Sequence, residues 1–231
     1  MNQESSTTSI NSIKDAIKCS TGNQDLNYFL GGGYEAGIIT TIFGPSGSGK
    51  STMMHLIGCL DIPTKGHIHL HNKDIAKLSE SDLATLRGKS IGFIFQQFNL
   101  IPTLTALENV TLPMIFQDTT AQHRKETGIK LLSKFGLRER VGHKPTELSG
   151  GQSQRVAISR ALANNPSIVL ADEPTGNLDS KTGQEVMTFL GEIHKKQGKT
   201  VVLVTHDLNL VKHAERVIYL KDGKIEKIRK R

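Results

Sequence analysis

The chain has no tryptophan and only three tyrosines and eight phenylalanines, so aromatics make up 5% of its 231 residues. Platforms on which single-stranded bases could stack are correspondingly scarce, and no nucleic-acid partner is expected. It has two cysteines, Cys19 and Cys59. That is too few for a disulfide framework, and their spacing fits no metal motif. They read as buried or semi-buried free thiols in a reducing compartment. No apolar run approaches the ~18 residues that would suggest a membrane-spanning helix. The longest runs, such as residues 168–171 and 201–204, have the length of buried strands. The start of the chain is polar and lacks the apolar core of a signal peptide, so a cytosolic location is expected.

What is present is globular: 36% hydrophobic and 22% charged residues over a length that can bury a real core. The formal net charge is +7, and the densest basic run is the tail through Lys221, Lys224, Lys227, Arg229, Lys230 and Arg231. A solvated terminus and attraction to an anionic membrane surface both account for that run.

The apolar pattern alternates between strands and helices. Residues 38–43, 91–95, 167–172 and 200–205 are short, β-branched and apolar, and read as buried strands. Helices are expected at residues 50–60, 153–163 and 181–196, and one beginning after the capping residue Ser79. Residues 97–165 turn mostly helical between two strands of one presumed sheet, which suggests an inserted lobe. Residues 67–71 alternate strictly, which places His67, His69 and His71 on one strand face. Three ligands on one strand splay poorly around a tetrahedral ion, so a solvated face is preferred to a zinc site. Asp222-Gly223 marks a hairpin turn. The resulting fold class is α/β, with a mainly parallel sheet, an inserted helical subdomain and a small antiparallel β portion.

The run Gly44-Pro45-Ser46-Gly47-Ser48-Gly49-Lys50-Ser51-Thr52 fits G-x-x-x-x-G-K-[ST] and lies between an expected strand and an expected helix. Glycines let successive N–H groups converge on phosphate oxygens, and the helix start adds its positive end. Lys50 is expected to reach the β- and γ-phosphates of ATP, and the Ser51 hydroxyl to ligate Mg²⁺. Asp172 and Glu173 end a buried strand at the sheet edge where open α/β sheets bind ligands. Asp172 is the expected Mg²⁺ ligand, and Glu173 the residue that polarises the attacking water. His206 ends the next strand on the same edge and is assigned to the γ-phosphate. Gln96 ends another, where its amide would reach Mg²⁺ or water. Finally, Leu148-Ser149-Gly150-Gly151-Gln152 precedes an amphipathic helix. Ser149 and the glycines would open that helix start to an anion. A capped helix start is the ordinary reading of this run; if the run binds a second phosphate, which only membership of a suitable family would make firm, it serves another copy's ATP. That implies a head-to-tail homodimer.

These motifs, with Asn177-Leu178-Asp179, occur in the order and spacing of ABC (ATP-binding cassette) transporter ATPases, which the chain resembles from Gly44 to about Ile228. Residues 91–102, 104–110 and 171–180 look like the lipoprotein-release and macrolide-export branch. The resemblance implies ATP hydrolysis coupled to export or extraction of a substrate through a separate permease. It also implies a homodimer in the ATP-bound state, peripheral on the inner face of the cell membrane. In domain terms, residues 1–19 read as a flexible N-terminus and residues 20–231 as the ATPase domain. Its core is expected at 20–96 and 166–231, and its helical subdomain at 97–165.

The lead-in to the phosphate loop departs from the family. ABC ATPases carry two strands and an adenine-stacking aromatic nearly thirty residues upstream, but the region around Lys14-Asp15-Ala16 has no aromatic. Residues 20–37, with the triple glycine Gly31-Gly32-Gly33, resemble the lead of RecA-type recombinases. Two expectations follow: weaker adenine preference unless Tyr28, Phe29 or Tyr34 substitutes, and lower stability. Two rival functions follow as well: a DNA repair or recombination ATPase, and a nucleotide-binding scaffold with impaired hydrolysis.

Overall fold

The structure is a computed structural model that describes residues 17–20, 38–71 and 73–230. The strands are β1 (Ile17–Ser20), β2 (Ile39–Phe43), β3 (His67–Leu70), β4 (Lys73–Asp74), β5 (Ile91–Ile94), β6 (Ile168–Asp172), β7 (Thr200–Thr205), β8 (Arg216–Lys221) and β9 (Lys224–Lys230). The helices are α1 (Lys50–Ile57), α2 (Glu80–Ser90), α3 (Ala106–Ile115), α4 (Ala121–Lys134), α5 (Gly150–Ala161), α6 (Ser180–Gln197) and the single turn α7 (Leu208–Val211).

Six strands form one sheet in the order β5-β6-β7-β2-β8-β9. All neighbours in it are parallel except the last pair, which is the hairpin closed by Asp222 and Gly223. Both turn residues have positive φ, 49° and 73°, as the tight hairpin read from Asp-Gly requires. The strands alternate between two cores. Leu170, Val202 and Val204 face one side with Met54 and Ile57 of α1. Val169, Ala171, Val201 and Leu203 face the other with Val186, Leu190 and Ile193 of α6. Burial on both faces is why these strands read as continuous apolar runs.

Between β5 and β6 lie the helices α3, α4 and α5. Val110 and Met114 of α3, Leu132 of α4 and Val156 of α5 form a third, separate core. Asn109 is fully buried there. Its Oδ1 accepts from the Ile101 N–H at 2.8 Å, and its Nδ2 donates to the carbonyls of Ile101, Leu104 and Thr105. One side chain thus satisfies the loop that leads into α3, while Thr105 and Glu108 form a reciprocal cap on its first turn.

Several elements differ from the sequence reading. Residues 17–19, read as the end of a flexible N-terminus, form with Ser20 a strand paired antiparallel with β3. The pairing joins residues about fifty positions apart, which local pattern does not carry. The helix expected to reach residue 60 stops at Ile57, where Gly58 caps it. The helix expected from residue 153 begins at Gly150, because Ser149 and Gln152 cap each other. His71 leaves the strand at φ 50°, so it does not share a face with His67 and His69. His67 instead pairs with Asp74 at 2.8 Å. The recombinase-like lead at residues 21–37, with Tyr28, Phe29 and Tyr34, lies outside the described residues.

Candidate functional site

Because β5, β6, β7 and β2 are parallel and adjacent, the residues that follow them emerge on one edge of the sheet. That edge carries a cavity of about 600 Å³. Its floor is the loop after β2: Pro45, Ser46, Gly47 and Gly49, continuing into Lys50, Ser51 and Thr52 of α1. Its walls are Gln96 after β5, Asp172 and Glu173 at the end of β6, and His206 after β7. Eleven residues read from four separate motifs therefore line one cavity.

The loop geometry follows from its glycines. Gly47 and Gly49 adopt φ of 77° and 89°, a region that side chains oppose. At Gly44 the reason is space: a Cβ would lie 2.3 Å from the Leu220 carbonyl oxygen. Ser48 does not line the cavity. It is buried, and its carbonyl accepts from the Gly223 N–H, which ties the loop to the β8–β9 turn. Lys50 is also buried. Its Nζ donates to the carbonyls of Gly44 and Pro45, both at 2.8 Å, so the ammonium is held inside the ring of its own loop.

The acidic wall is more constrained than sequence suggested. Glu173 is a non-glycine residue at φ 44°, a conformation that costs on the order of 1–3 kcal/mol and persists only when its surroundings over-determine it. Here they do. Its N–H donates to the Val204 carbonyl at 2.9 Å. One carboxylate oxygen accepts from the Thr205 hydroxyl at 2.9 Å. The other accepts from the His206 N–H at 3.0 Å and lies 2.6 Å from His206 Nδ1. Asp172 beside it is half-buried. Burial pushes its carboxyl above the usual aspartate range and the Glu173 charge adds to the effect, while His55 and Lys50 oppose it.

Gln96 is held by the loop after β6. Its carbonyl accepts from Asn177 Nδ2 at 2.9 Å, and Gly176 lies against its side-chain amide so closely that a Cβ there would be 2.8 Å from Nε2. Ser51, Gln96 and Asp172 thus offer a hydroxyl, an amide and one carboxylate to the same cavity. No cluster of three or more His, Cys, Asp or Glu capable of holding a metal occurs among the described residues. A hard, oxygen-rich set with a single carboxylate fits Mg²⁺, which is usually shared between one or two carboxylates and substrate phosphates.

Ser149, Gly150, Gly151 and Gln152 do not line this cavity. Ser149 Oγ accepts from the Gln152 N–H, and Gln152 Oε1 accepts from the Ser149 N–H. Ser149 and Gln152 thus cap each other reciprocally at the start of α5. The helix is nonetheless wired to the acidic wall. Gln154, fully buried on its inner face, donates from Nε2 to the Pro174 carbonyl at 2.7 Å. Gln154 and Thr205 were not singled out in the sequence. A glutamine on the apolar face of an amphipathic helix was the available signal for the first.

Residues 32–176 match the family model described as "ABC transporter". The match begins inside the segment that resembles a recombinase lead, and the recombinase alternative finds no support. An uncharacterized ABC transporter ATP-binding protein of Methanocaldococcus jannaschii, MJ0796, is 55% identical over 195 residues, 83% of each chain. The macrolide export ATP-binding/permease protein MacB of Escherichia coli is 50% identical over 190 residues, which are 82% of this chain and 29% of that protein. The solved dimeric, post-hydrolysis structure of the MJ0796 cassette bound to ADP and Pi superposes with a TM-score of 0.78 at 50% identity, over 86% of this chain and 88% of that one. A phosphate loop, two strand-end carboxylates and a signature helix on one P-loop fold, with relatives of this similarity, establish that the chain belongs to the ABC transporter family as an ATP-binding cassette.

Proposed function

We propose that this cassette hydrolyses ATP and powers export or extraction of a substrate through a separate membrane permease. The observation that carries this reading is the Glu173–His206 pair on the wall of the cavity whose floor is the phosphate loop. The ADP and Pi bound by the MJ0796 cassette support a nucleotide at this place. The ATP-binding/permease character of MacB supports a permease as the partner. Docking to a permease would hold the chain at the inner face of the membrane, and the chain's own helices among the described residues are too short or too polar to cross it.

In this mechanism the N–H groups of the loop at 44–51 and the N-terminus of α1 receive the phosphates. Lys50 Nζ releases the Gly44 and Pro45 carbonyls and takes the β- and γ-phosphate oxygens. Ser51, Gln96 and Asp172 would hold Mg²⁺, which when bound neutralises phosphate charge. Glu173 accepts the proton of the water that attacks the γ-phosphate in line. His206 keeps that carboxylate aimed and donates to phosphate oxygen as charge develops. Ser149, Gly150, Gly151 and Gln152 of a second copy close the pocket, with the Ser149–Gln152 cap opening to present its donors. The dimeric MJ0796 cassette supports such a pairing.

Phosphate release by the purified chain with Mg²⁺ and ATP tests the reading. Turnover should be abolished by Lys50→Ala. Turnover that survives in that variant would contradict the assignment of the site.

A further inference from the structure

Thr205 is the last residue of β7 and is completely buried, with its strand between β6 and β2. Its hydroxyl does two things at once. It donates to Glu173 Oε2 at 2.9 Å and accepts from the Asp207 N–H at 3.0 Å. Asp207 in turn caps α7 by accepting from the Asn209 N–H at 2.8 Å. One hydroxyl therefore joins the carboxylate at the end of β6 to the turn that carries His206. Thr205 does not line the cavity, so it has no direct access to bound nucleotide.

The geometry points to Thr205 as a positioning residue for ATP hydrolysis: its hydroxyl fixes the rotation of the Glu173 carboxylate so that the other oxygen faces His206. This rests on the proposed role of Glu173 in activating water. A carboxylate on a two-carbon stem rotates freely unless both oxygens are held. Here Oε1 is held by His206, through its N–H and imidazole, and Oε2 by Thr205. Without the hydroxyl, Oε2 has lost its buried donor and the Asp207 N–H has lost its acceptor, so the carboxylate and the His206 turn are released together. Near-attack alignment is sensitive to displacements of this size.

The test compares Thr205→Val, Thr205→Ser and Glu173→Gln for ATP turnover and for ATP affinity. Valine suits the strand sterically and removes only the hydroxyl. It should lower kcat about tenfold or more with KM for ATP and equilibrium ATP binding within twofold of the parent, since the phosphate loop is untouched. Serine restores the hydroxyl and should recover most of the lost kcat. A thermal melt of each variant separates loss of alignment from loss of fold. If valine fails to fold, Thr205→Ala against Thr205→Ser gives the same comparison. Parent-like kcat without the hydroxyl, or serine as impaired as valine, would overturn the assignment of Thr205 while a dead Glu173→Gln left the role of Glu173 standing. Full turnover by Glu173→Gln would overturn both.

Discussion

His206 Nδ1 lies 2.6 Å from Glu173 Oε1, and the same oxygen accepts from the His206 N–H at 3.0 Å. The two residues are thirty-three positions apart and meet because β6 and β7 are parallel neighbours in register, with Asp172 opposite Val204. Glu173→Gln keeps the shape and the hydrogen-bond acceptor but cannot take a proton. General-base assistance is worth roughly 10²–10⁴-fold. Hydrolysis should fall by at least two orders of magnitude, and ATP should then trap a dimer visible by size-exclusion chromatography. His206→Ala should lower turnover while leaving ATP affinity near the parent value.

Asp172 gives a pH-dependent signature. Its proton is held more tightly in the folded chain than in the unfolded one, through burial and the charge of Glu173. The corresponding stability is complete below the ordinary aspartate pKa of about 3.9 and is lost as pH rises through the raised value. Asp172→Asn should therefore melt higher than the parent at neutral pH, with the difference shrinking as the buffer approaches pH 4, and should lose turnover. Thermal melts across that range check the sign.

Asn109 makes four hydrogen bonds to the loop before α3 with no exposure to water. Replacing it by leucine leaves buried backbone groups unpaired, a cost of about 1–3 kcal/mol for each such group. Asn109→Leu should lower the melting temperature by several degrees, with the earliest amide exchange in residues 101–105. Exchange concentrated instead in β2 and β7 would contradict the assignment of Asn109 to the lobe.

Ser149 caps α5 through the Gln152 N–H, and losing a serine cap costs about 1 kcal/mol. Ser149→Ala should lower stability by about that amount. Ser149→Arg adds bulk and charge where the second copy's phosphate is proposed to sit. It should retain ATP binding in the monomer and lose hydrolysis.

The sequence carried the parts of this fold whose cause is local. The glycine loop is legible because few other residues tolerate φ of 77° and 89° at Gly47 and Gly49. Asp172, Glu173, His206 and Gln96 are legible because polar side chains that end buried apolar strands of a parallel sheet must emerge together. Cause that lies across the fold was not legible. A threonine at the end of a β-branched strand looks like β propensity, and only the register of β6 against β7 gives Thr205 its carboxylate partner. The pairing of Ile17–Ser20 with β3 is equally non-local. Ser149 was expected to leave a helix start open to an anion. In the structure Ser149 and Gln152 cap each other across that start, the ordinary role of a serine before a helix. The expected loss of adenine stacking rests on residues outside those described.

Each pocket is proposed to be completed by a second copy of the chain. ATP turnover per chain, measured across protein concentrations that span the monomer–dimer transition followed by light scattering, addresses it directly. Turnover per chain should fall toward zero as the protein is diluted into monomers and rise steeply as dimers form. Constant turnover per chain from monomer to dimer would contradict it.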